Sequence, residues 1–109
     1  MHHIDKKWEP LGNTIIGTKS SSFSGSLITL SGDGNRLFVN DNESHTIRAY
    51  QWEGGAADTT TSWTDIGQIS GNNVEAIDLT ASMSGDRIAI GFKGSVSVCE
   101  YQFDDIVNT

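Results

Sequence analysis

Proline and cysteine are scarce in this chain, which has one of each in 109 residues. With a single cysteine, Cys99, no intrachain disulfide is possible, and its place in a strand-like run predicts a buried free thiol. No run approaches 18 apolar residues, so no membrane-spanning helix is predicted. The first residues lack the apolar core of a signal peptide, and we expect a chain that is not secreted by the general route.

Positive charge is also scarce: seven basic residues stand against 14 acidic ones, giving a net charge of −7. The basic residues are scattered, and only Lys6 and Lys7 are adjacent. A surface that tracks phosphates needs clustered Lys and Arg. The sequence therefore disfavours a nucleic acid or an anionic membrane as partner, and the acidic surface favours solubility.

Helical periodicity is missing as well. No stretch of ten or more residues carries apolar side chains at a 3.6-residue period. The chain instead has 12 glycines, with abundant Ser, Thr, Asn and Asp between short apolar runs. That pattern predicts an all-β domain of short strands joined by tight turns.

The usual catalytic signatures are absent from the sequence, which has no G-x-S-x-G, G-x-G-x-x-G, C-x-x-C or H-E-x-x-H. His45 lies where a predicted turn meets a strand, and we expect it to be exposed or locally hydrogen-bonded. No acid, base and nucleophile are seen to converge. We therefore expect neither an enzyme nor a cofactor.

Several blocks of sequence occur twice and in the same order. SGDGNRLFV at 31–39 returns as SMSGDRIAI at 82–90, a spacing of 51, and IRAYQW at 47–52 returns as VSVCEY at 96–101, a spacing of 49. WEPLG at 8–12 returns as WTDIG at 63–67. Recurrence of independent blocks in one order indicates a repeat of about 50 residues.

Each repeat is predicted to hold up to four strands, A to D. In the first repeat we predict strands at 26–31, 36–40, 45–52 and 62–66, and in the second at 76–80, 87–92 and 95–103. Residues 32–35 form a hairpin turn in which Gly and Asn accept positive φ. Short strands at a repeat near 50 residues are typical of four-stranded propeller blades.

The chain, residues 1–109, is then a single two-blade unit. Residues 8–17 form an outer D strand, residues 23–67 the first blade, and residues 74–103 a second blade without a D strand. Pro10 agrees with this placement, because proline is tolerated at a sheet edge and not in a central strand.

These blocks resemble the β-propeller repeats of the FG-GAP and WD-like type, with the pattern W-x-x-[LI]-G, then S-x-D-G, then V-R-V-Y. The resemblance covers about residues 8 to 103 and implies a propeller fold without implying an activity. Members of that family carry enough repeats to close a ring, whereas this chain carries two. The matching residues are Trp8, Leu11, Gly12, Gly17, Phe23, Gly25, Ser31, Gly34 and 47–50, then Trp63, Ile66, Gly67, Gly71, Ser82, Gly85, 88–91 and 96–98.

Calcium is the metal that some FG-GAP repeats bind, through a D-x-D-x-D-G loop. The nearest stretches here, 32–35 and 40–43, lack that spacing and offer few of the six to eight oxygens that calcium prefers. Plain hairpin turns are the favoured interpretation, with calcium as the alternative, and no metal site is predicted.

Two blades cannot close a ring, because propellers have four to eight. We predict that the D strand at 8–17 completes the second blade of a neighbouring subunit, so that identical chains close by cyclic symmetry. Three subunits would give the favoured six blades, and four would give eight. The predicted subunit-interface residues are Trp8, Leu11, Gly12, Val96, Val98 and Tyr101. The apolar residues expected between blades are Ile28, Leu30, Phe38, Ile77, Leu79, Ile88 and Ile90.

The resulting functional hypothesis is a non-enzymatic, self-assembling propeller that serves as a structural or interaction module. A component that decorates a virion is one version. Without a signal peptide, the expected location is the cytoplasm or a viral particle. The alternative is a carbohydrate-binding lectin, although we expect Trp8 and Trp63 to pack in the core or between blades. The candidate ligand-binding residues are Trp52, Tyr50, Tyr101, His45, Asn72 and Asn73.

Overall fold

The computed structural model of the chain describes residues 7–17, 27–53, 62–70 and 75–102. They form seven strands in two antiparallel sheets, with no helix among them, which confirms the all-β class. The strands are β1 (Ile28–Leu30), β2 (Arg36–Asp41), β3 (Thr46–Trp52), β4 (Trp63–Ser70), β5 (Asp78–Ala81), β6 (Arg87–Phe92) and β7 (Ser95–Glu100).

The first sheet has the order β1-β2-β3-β4, so strands that follow one another in the chain pair side by side. The strands predicted at 26–31, 36–40 and 45–52 are confirmed, with small shifts at their ends. His45 closes the turn between β2 and β3 with φ 55°, and its N–H donates to the Asp41 carbonyl at 2.9 Å. A hairpin of this kind favours a residue that tolerates the left-handed region.

β4 contains the phrase WTDIG and runs four residues further than predicted. The register shifts between Ala49 and Tyr50, so that Ile66 is an extra residue in β4 opposite them. Gly67 has φ 125°, and its N–H donates to Asp65 Oδ1 at 2.8 Å. The phrase therefore encodes a β-bulge, in which glycine supplies the backbone conformation and Asp65 satisfies the displaced N–H.

The second sheet has the order β5-β6-β7 and confirms the strands predicted at 76–80, 87–92 and 95–103 in position, with β7 ending earlier. Among the described residues, no fourth strand pairs with the free edge of β7. A sheet edge of this kind presents unpaired N–H and C=O groups.

One apolar core lies between the two sheets, and strands β1 and β5 lie next to each other at one end of it. Ile90, at 2% exposure, is its most buried apolar side chain, and Cys99 is partly buried against it. The buried core residues are Phe38, Ile47, Ala49, Ala76, Leu79, Ile88 and Ile90. Of the apolar residues expected between blades, Ile28, Leu30 and Ile77 are exposed in the single chain.

Residues 7–17 form no strand in the single chain, although the sequence predicts an outer strand at 8–17. Trp8 is fully exposed, and Leu11 is more than half exposed. The segment contacts its own first sheet through Trp63, whose indole N–H donates to the Leu11 carbonyl at 3.1 Å. That residues 8–17 pair with a neighbouring subunit stays a prediction.

The described residues contain no helix long and apolar enough to cross a membrane.

Candidate functional site

The turn between β1 and β2 and the turn between β5 and β6 have the same hydrogen bonds. In the first, the Gly34 N–H donates to the Ser31 carbonyl at 2.9 Å, and in the second the Gly85 N–H donates to the Ser82 carbonyl at 3.1 Å. The two glycines have φ 77° and 78°. The two turns, residues 31–36 and 82–87, are therefore the same structure at positions 51 apart.

Side chains stabilise both turns in the same way. The Arg36 N–H donates to Ser31 Oγ at 3.0 Å, and the Arg87 N–H donates to Ser82 Oγ at 3.1 Å. In the first turn Asp33 accepts from Ser31 Oγ and from the Asn35 N–H. The Ser31 hydroxyl, followed by the Asn35 N–H, lowers the pKa of Asp33, because both stabilise its charged form.

The two turns contact each other directly where the sheets meet. The Gly32 N–H donates to the Ser82 carbonyl at 3.2 Å, and the Asp33 N–H donates to the Met83 carbonyl at 2.8 Å. A Cβ built on Gly32 would lie 2.6 Å from Met83 Sδ. A side chain at position 32 would therefore push Met83 away, and glycine permits this close approach.

Arg36 fixes the first sheet to the turn of the second. Its Nη1 donates to the Gly85 carbonyl at 3.1 Å and to Asp86 Oδ1 at 2.8 Å. Its guanidinium carbon lies 4.7 Å from the centre of the Tyr101 ring, within the range of a cation–π contact. We call this set of contacts the Arg36 clamp.

The Arg36 side chain is held in place by its cross-strand neighbour, since Nε donates to Gln51 Oε1 at 3.1 Å. Arg87 occupies the same position in the second sheet, and its Nε donates to Glu100 Oε2 at 3.2 Å. The Arg36 side chain is 12% exposed and that of Arg87 is 68% exposed. Arg87 is thus oriented like Arg36 but has no second turn against it among the described residues.

The faces by which the sheets pack are not equivalent. We call the faces that pack together the inner faces and the opposite ones the outer faces. The inner face of the first sheet presents Phe38 of β2, whereas that of the second presents Ile88 and Ile90 of β6. By position relative to the turns, Phe38 corresponds to Ala89, and Ile88 and Ile90 correspond to Leu37 and Val39. Since side chains alternate along a strand, the corresponding residues lie on the outer faces.

The outer face of the second sheet is open. Val96 and Val98 are 72% and 67% exposed, and both share this face with Ala89. Two exposed valines beside an unpaired edge strand form an apolar surface next to open backbone groups. The predicted interface residues Val96 and Val98 therefore lie on one accessible surface.

The outer face of the first sheet is partly covered by the chain itself. Asn13 and Ile15 line a cleft of about 270 Å³ with Ile28, Leu37, Val39 and Trp63. Trp63 also packs on Trp52, with ring centres 5.4 Å apart, and a Cβ on Gly12 would lie 2.5 Å from Trp52 Cζ3. The segment 11–15 thus lies against the apolar surface that corresponds to the inner face of the second sheet.

Beside this cleft, the outer face of the first sheet carries a buried ion pair. Asp41, fully buried, accepts Arg48 Nε at 3.3 Å and the N–H groups of Glu43 and Ser44. Burial opposes ionisation of Asp41, but these donors outweigh it and lower its pKa. Burial raises the pKa of the neighbouring Tyr50. Asp41 therefore stays ionised at neutral pH, and its hydrogen bonds stabilise the end of β2.

A cleft of about 270 Å³ opens between β4 and β7, where the sheets diverge. Tyr101 lines it together with Gln68, Cys99, Glu100 and Gln102. One side of the Tyr101 ring contacts Arg36, so part of its stacking surface is already used. The rest of the lining includes Gln68 of β4 and Gln102, which follows β7.

The candidate ligand residues do not form one site. Tyr50 and Trp52 share the outer face of the first sheet, since alternate residues of β3 point the same way. Tyr101 lines the cleft between β4 and β7, and His45 lines a smaller cleft near Asn40. Asn72 and Asn73 lie outside the described residues.

No group of three or more His, Cys, Asp or Glu is arranged to hold a metal ion in the described parts of the chain. The carboxylates of the turns are instead used in local hydrogen bonds, as for Asp33 with Ser31 and Asn35.

Sequence reasoning missed Arg36 and Asp86, which join the two sheets, and Arg87, which is the counterpart of Arg36 in the second sheet. A signal was present, since arginine follows the turn glycine by two positions in both repeats, as GNR at 34–36 and GDR at 85–87. The spacing alone does not reveal that the arginine reaches the other turn.

No family model, curated protein or solved structure matches the chain.

Proposed function

We propose that this protein is a non-enzymatic module that assembles with copies of itself into a closed β-propeller. The observation that carries the proposal is the packing of the two sheets by non-equivalent faces. Such head-to-tail packing is heterologous, and each added sheet leaves the same kind of free face as the one before it. Repeated packing of this kind closes into a ring or continues as a filament.

The two outer faces support assembly because they are the counterparts of the packed ones. Ile28, Leu37 and Val39 on the first sheet correspond to Leu79, Ile88 and Ile90, which are buried in the core. The outer face of the second sheet, with Val96 and Val98, is the surface that would receive them. Ile28, Val96 and Val98 are exposed in the single chain, and covering them contributes roughly 25 cal/mol per Å² of apolar surface.

The free edge of β7 supports a contribution from the N-terminal segment. In the first sheet, WTDIG at 63–67 begins the strand that pairs with β3. β7 occupies the corresponding place in the second sheet, and WEPLG at 8–12 carries the same pattern. We propose that Trp8, Leu11 and Gly12 of one copy lie along β7 of the next. Three copies would give six blades, the favoured number, and four would give eight.

The mass of the protein in solution tests this function. Sedimentation velocity and native mass spectrometry should show a closed oligomer of three chains, or four, with a constant mass over a wide range of concentration. A chain of 11.8 kDa at every concentration would contradict the proposal. An open series of increasing masses would contradict ring closure and retain head-to-tail assembly. A larger structure, such as a viral particle, stays a further proposal.

Carbohydrate binding is the second candidate function, and the cleft that contains Tyr101 favours it. An aromatic ring beside the amides of Gln68 and Gln102 is a combination that suits a sugar. A glycan array followed by calorimetry on wild type and Tyr101→Ala tests it. Binding that Tyr101→Ala abolishes would support a lectin, and the absence of binding to any glycan would count against it.

A further inference from the structure

We infer that Arg87 of one copy clamps the turn at residues 31–36 of a second copy, as Arg36 clamps the turn at 82–87 within the chain. The inference rests on the proposed self-assembly and identifies the contact that would fix its geometry. The occupant of the open outer face of the second sheet is then the first sheet of another identical chain.

Arg87 is oriented for this contact before any partner is present. Its backbone N–H is held by Ser82 Oγ, and its Nε is held by Glu100 Oε2. These bonds match those of Arg36 with Ser31 and Gln51. A guanidinium fixed at Nε still presents its remaining N–H groups, and at 68% exposure those of Arg87 face solvent.

The turn at 31–36 has the groups that Arg36 uses in the other turn. Gly34 corresponds to Gly85, Asn35 to Asp86 and Trp52 to Tyr101. The Trp52 and Tyr101 N–H groups both donate to the turn, to the carbonyls of Asn35 and Asp86 respectively, at 2.8 Å each. Arg87 of a second copy would therefore meet a glycine carbonyl, an amide oxygen and an aromatic ring.

The space for that guanidinium is open. A Cβ built on Gly85 would lie 2.7 Å from Arg36 Cδ, because the Arg36 stem lies directly over this glycine. A Cβ built on Gly34 would meet nothing within 4 Å. Gly85 and Gly34 thus have nearly the same φ, but Arg36 covers Gly85 and no side chain of the described residues covers Gly34.

The other contacts of the interface follow from the same correspondence of positions. Within the chain Met83 packs on Gly32, and in the proposed contact Gly32 of one copy meets Met83 of the other. Within the chain, the inner face of the first sheet contributes the paired residues Phe38 and Ala49. In the proposed contact, the outer face of the second sheet contributes Ala89 and Val98 at the same positions. One alanine is common to both pairs, and valine stands in place of phenylalanine, so this part of the contact between chains is less completely filled than the one within the chain.

The segment at 11–15 must leave the outer face of the first sheet before a second copy can dock. Trp63 donates two hydrogen bonds to this segment, from its indole N–H to the Leu11 carbonyl and from its backbone N–H to Asn13 Oδ1. The same segment is the proposed partner of β7, so assembly would exchange these contacts for a strand pairing.

The chemistry predicts a weaker clamp between chains than within the chain. Asn35 offers a neutral oxygen where Asp86 offers a carboxylate, so the contact between chains lacks the Coulomb attraction of opposite charges that the contact within the chain has. Tryptophan at position 52 partly compensates, because it is the best aromatic partner for a cation. Asn35→Asp should therefore strengthen assembly, because it makes the contact between chains resemble the one within the chain.

The test measures the dissociation constant of the assembly by sedimentation equilibrium for wild type, Arg87→Ala, Asn35→Asp and the control Lys93→Ala. Lys93 is an exposed cation in the turn between β6 and β7. We expect Arg87→Ala to raise the dissociation constant about 10-fold or more and Asn35→Asp to lower it several-fold. Lys93→Ala should leave it unchanged. Circular dichroism confirms that each variant is folded.

Failure of this inference is distinct from failure of the proposed function. A wild-type assembly that Arg87→Ala leaves intact would overturn the clamp and retain self-assembly. Weakening by Asn35→Asp, or equal weakening by Arg87→Ala and Lys93→Ala, would also overturn it. A wild-type chain that is monomeric at every concentration would overturn the proposed function and the clamp together.

Discussion

Arg36 Nη1 lies 2.8 Å from Asp86 Oδ1, and this contact joins a strand of the first sheet to a turn of the second. The two residues are 50 positions apart, and the arginine also reaches the Gly85 carbonyl and the Tyr101 ring. A planar guanidinium makes such a set of contacts, whereas an ammonium acts as a single point of charge. The relationship fixes how one sheet is oriented on the other.

Replacing Arg36 by Ala should lower the free energy of unfolding of the chain by about 1–2 kcal/mol. The loss of stability is modest because Asp86 is half exposed and solvent screens its charge. Urea unfolding followed by tryptophan fluorescence measures the change. Arg87→Ala is the matched control, and in the monomer it should change stability by less than about 0.5 kcal/mol. Equal losses for both variants would contradict the assigned role of Arg36.

Alanine at the two turn glycines should have unequal effects. Gly34 and Gly85 share a positive φ, so alanine at either costs about 1–2 kcal/mol of backbone strain. Only at position 85 does the added Cβ also collide with Arg36. In the monomer we expect Gly85→Ala to lower the free energy of unfolding by at least about 1 kcal/mol more than Gly34→Ala. Urea titration of the pair gives the comparison, and equal losses would be the contrary result.

Acid should destabilise the fold through Asp41. Because its pKa in the folded chain is lowered, the stabilisation is present above the pKa of the unfolded chain, about 4, and is lost as the pH falls through the folded value. Asp33, whose pKa is also lowered, acts in the same direction. Thermal melting between pH 7 and pH 2 measures the loss.

Asp41→Asn should flatten this pH dependence and cost about 2 kcal/mol at pH 7, since Arg48 loses its buried partner. Glu75→Gln, at an exposed position before β5, is the control and should leave the profile unchanged. A profile for Asp41→Asn as steep as that of wild type would show that other carboxyls govern the acid transition.

Deletion of residues 1–13 should abolish assembly and leave the two sheets folded. The proposed strand along β7 would be lost, whereas the core cluster between the two sheets contains no described residue of the segment. Sedimentation velocity reports the mass, and circular dichroism reports the fold. Adding a synthetic peptide of residues 1–17 in excess should restore pairing at β7. Stronger assembly after the deletion would mean that the segment only covers its own sheet.

The positions of the strands could be read from the chain because they depend on local pattern. Alternating apolar residues and the Gly-containing turns gave β2, β3, β6 and β7 nearly at their observed limits. The extension of β4 could not be predicted, because the bulge at Ile66 breaks the alternation on which such a prediction depends. The outer strand expected at 8–17 is not formed in the single chain, since a strand needs a partner that local sequence does not supply.

The sequence by itself determined an all-β chain, the repeated turn with its serine and glycine, and which side chains share a face of a sheet. Only the tertiary structure decided which faces meet, that Arg36 reaches Gly85 and Asp86, and that Arg87, its counterpart, is left exposed. The physical reason is that the two kinds of information depend on interactions over different distances along the chain. Alternation and turn geometry act over a few residues, whereas the packing of one sheet on another depends on contacts between residues about 50 positions apart.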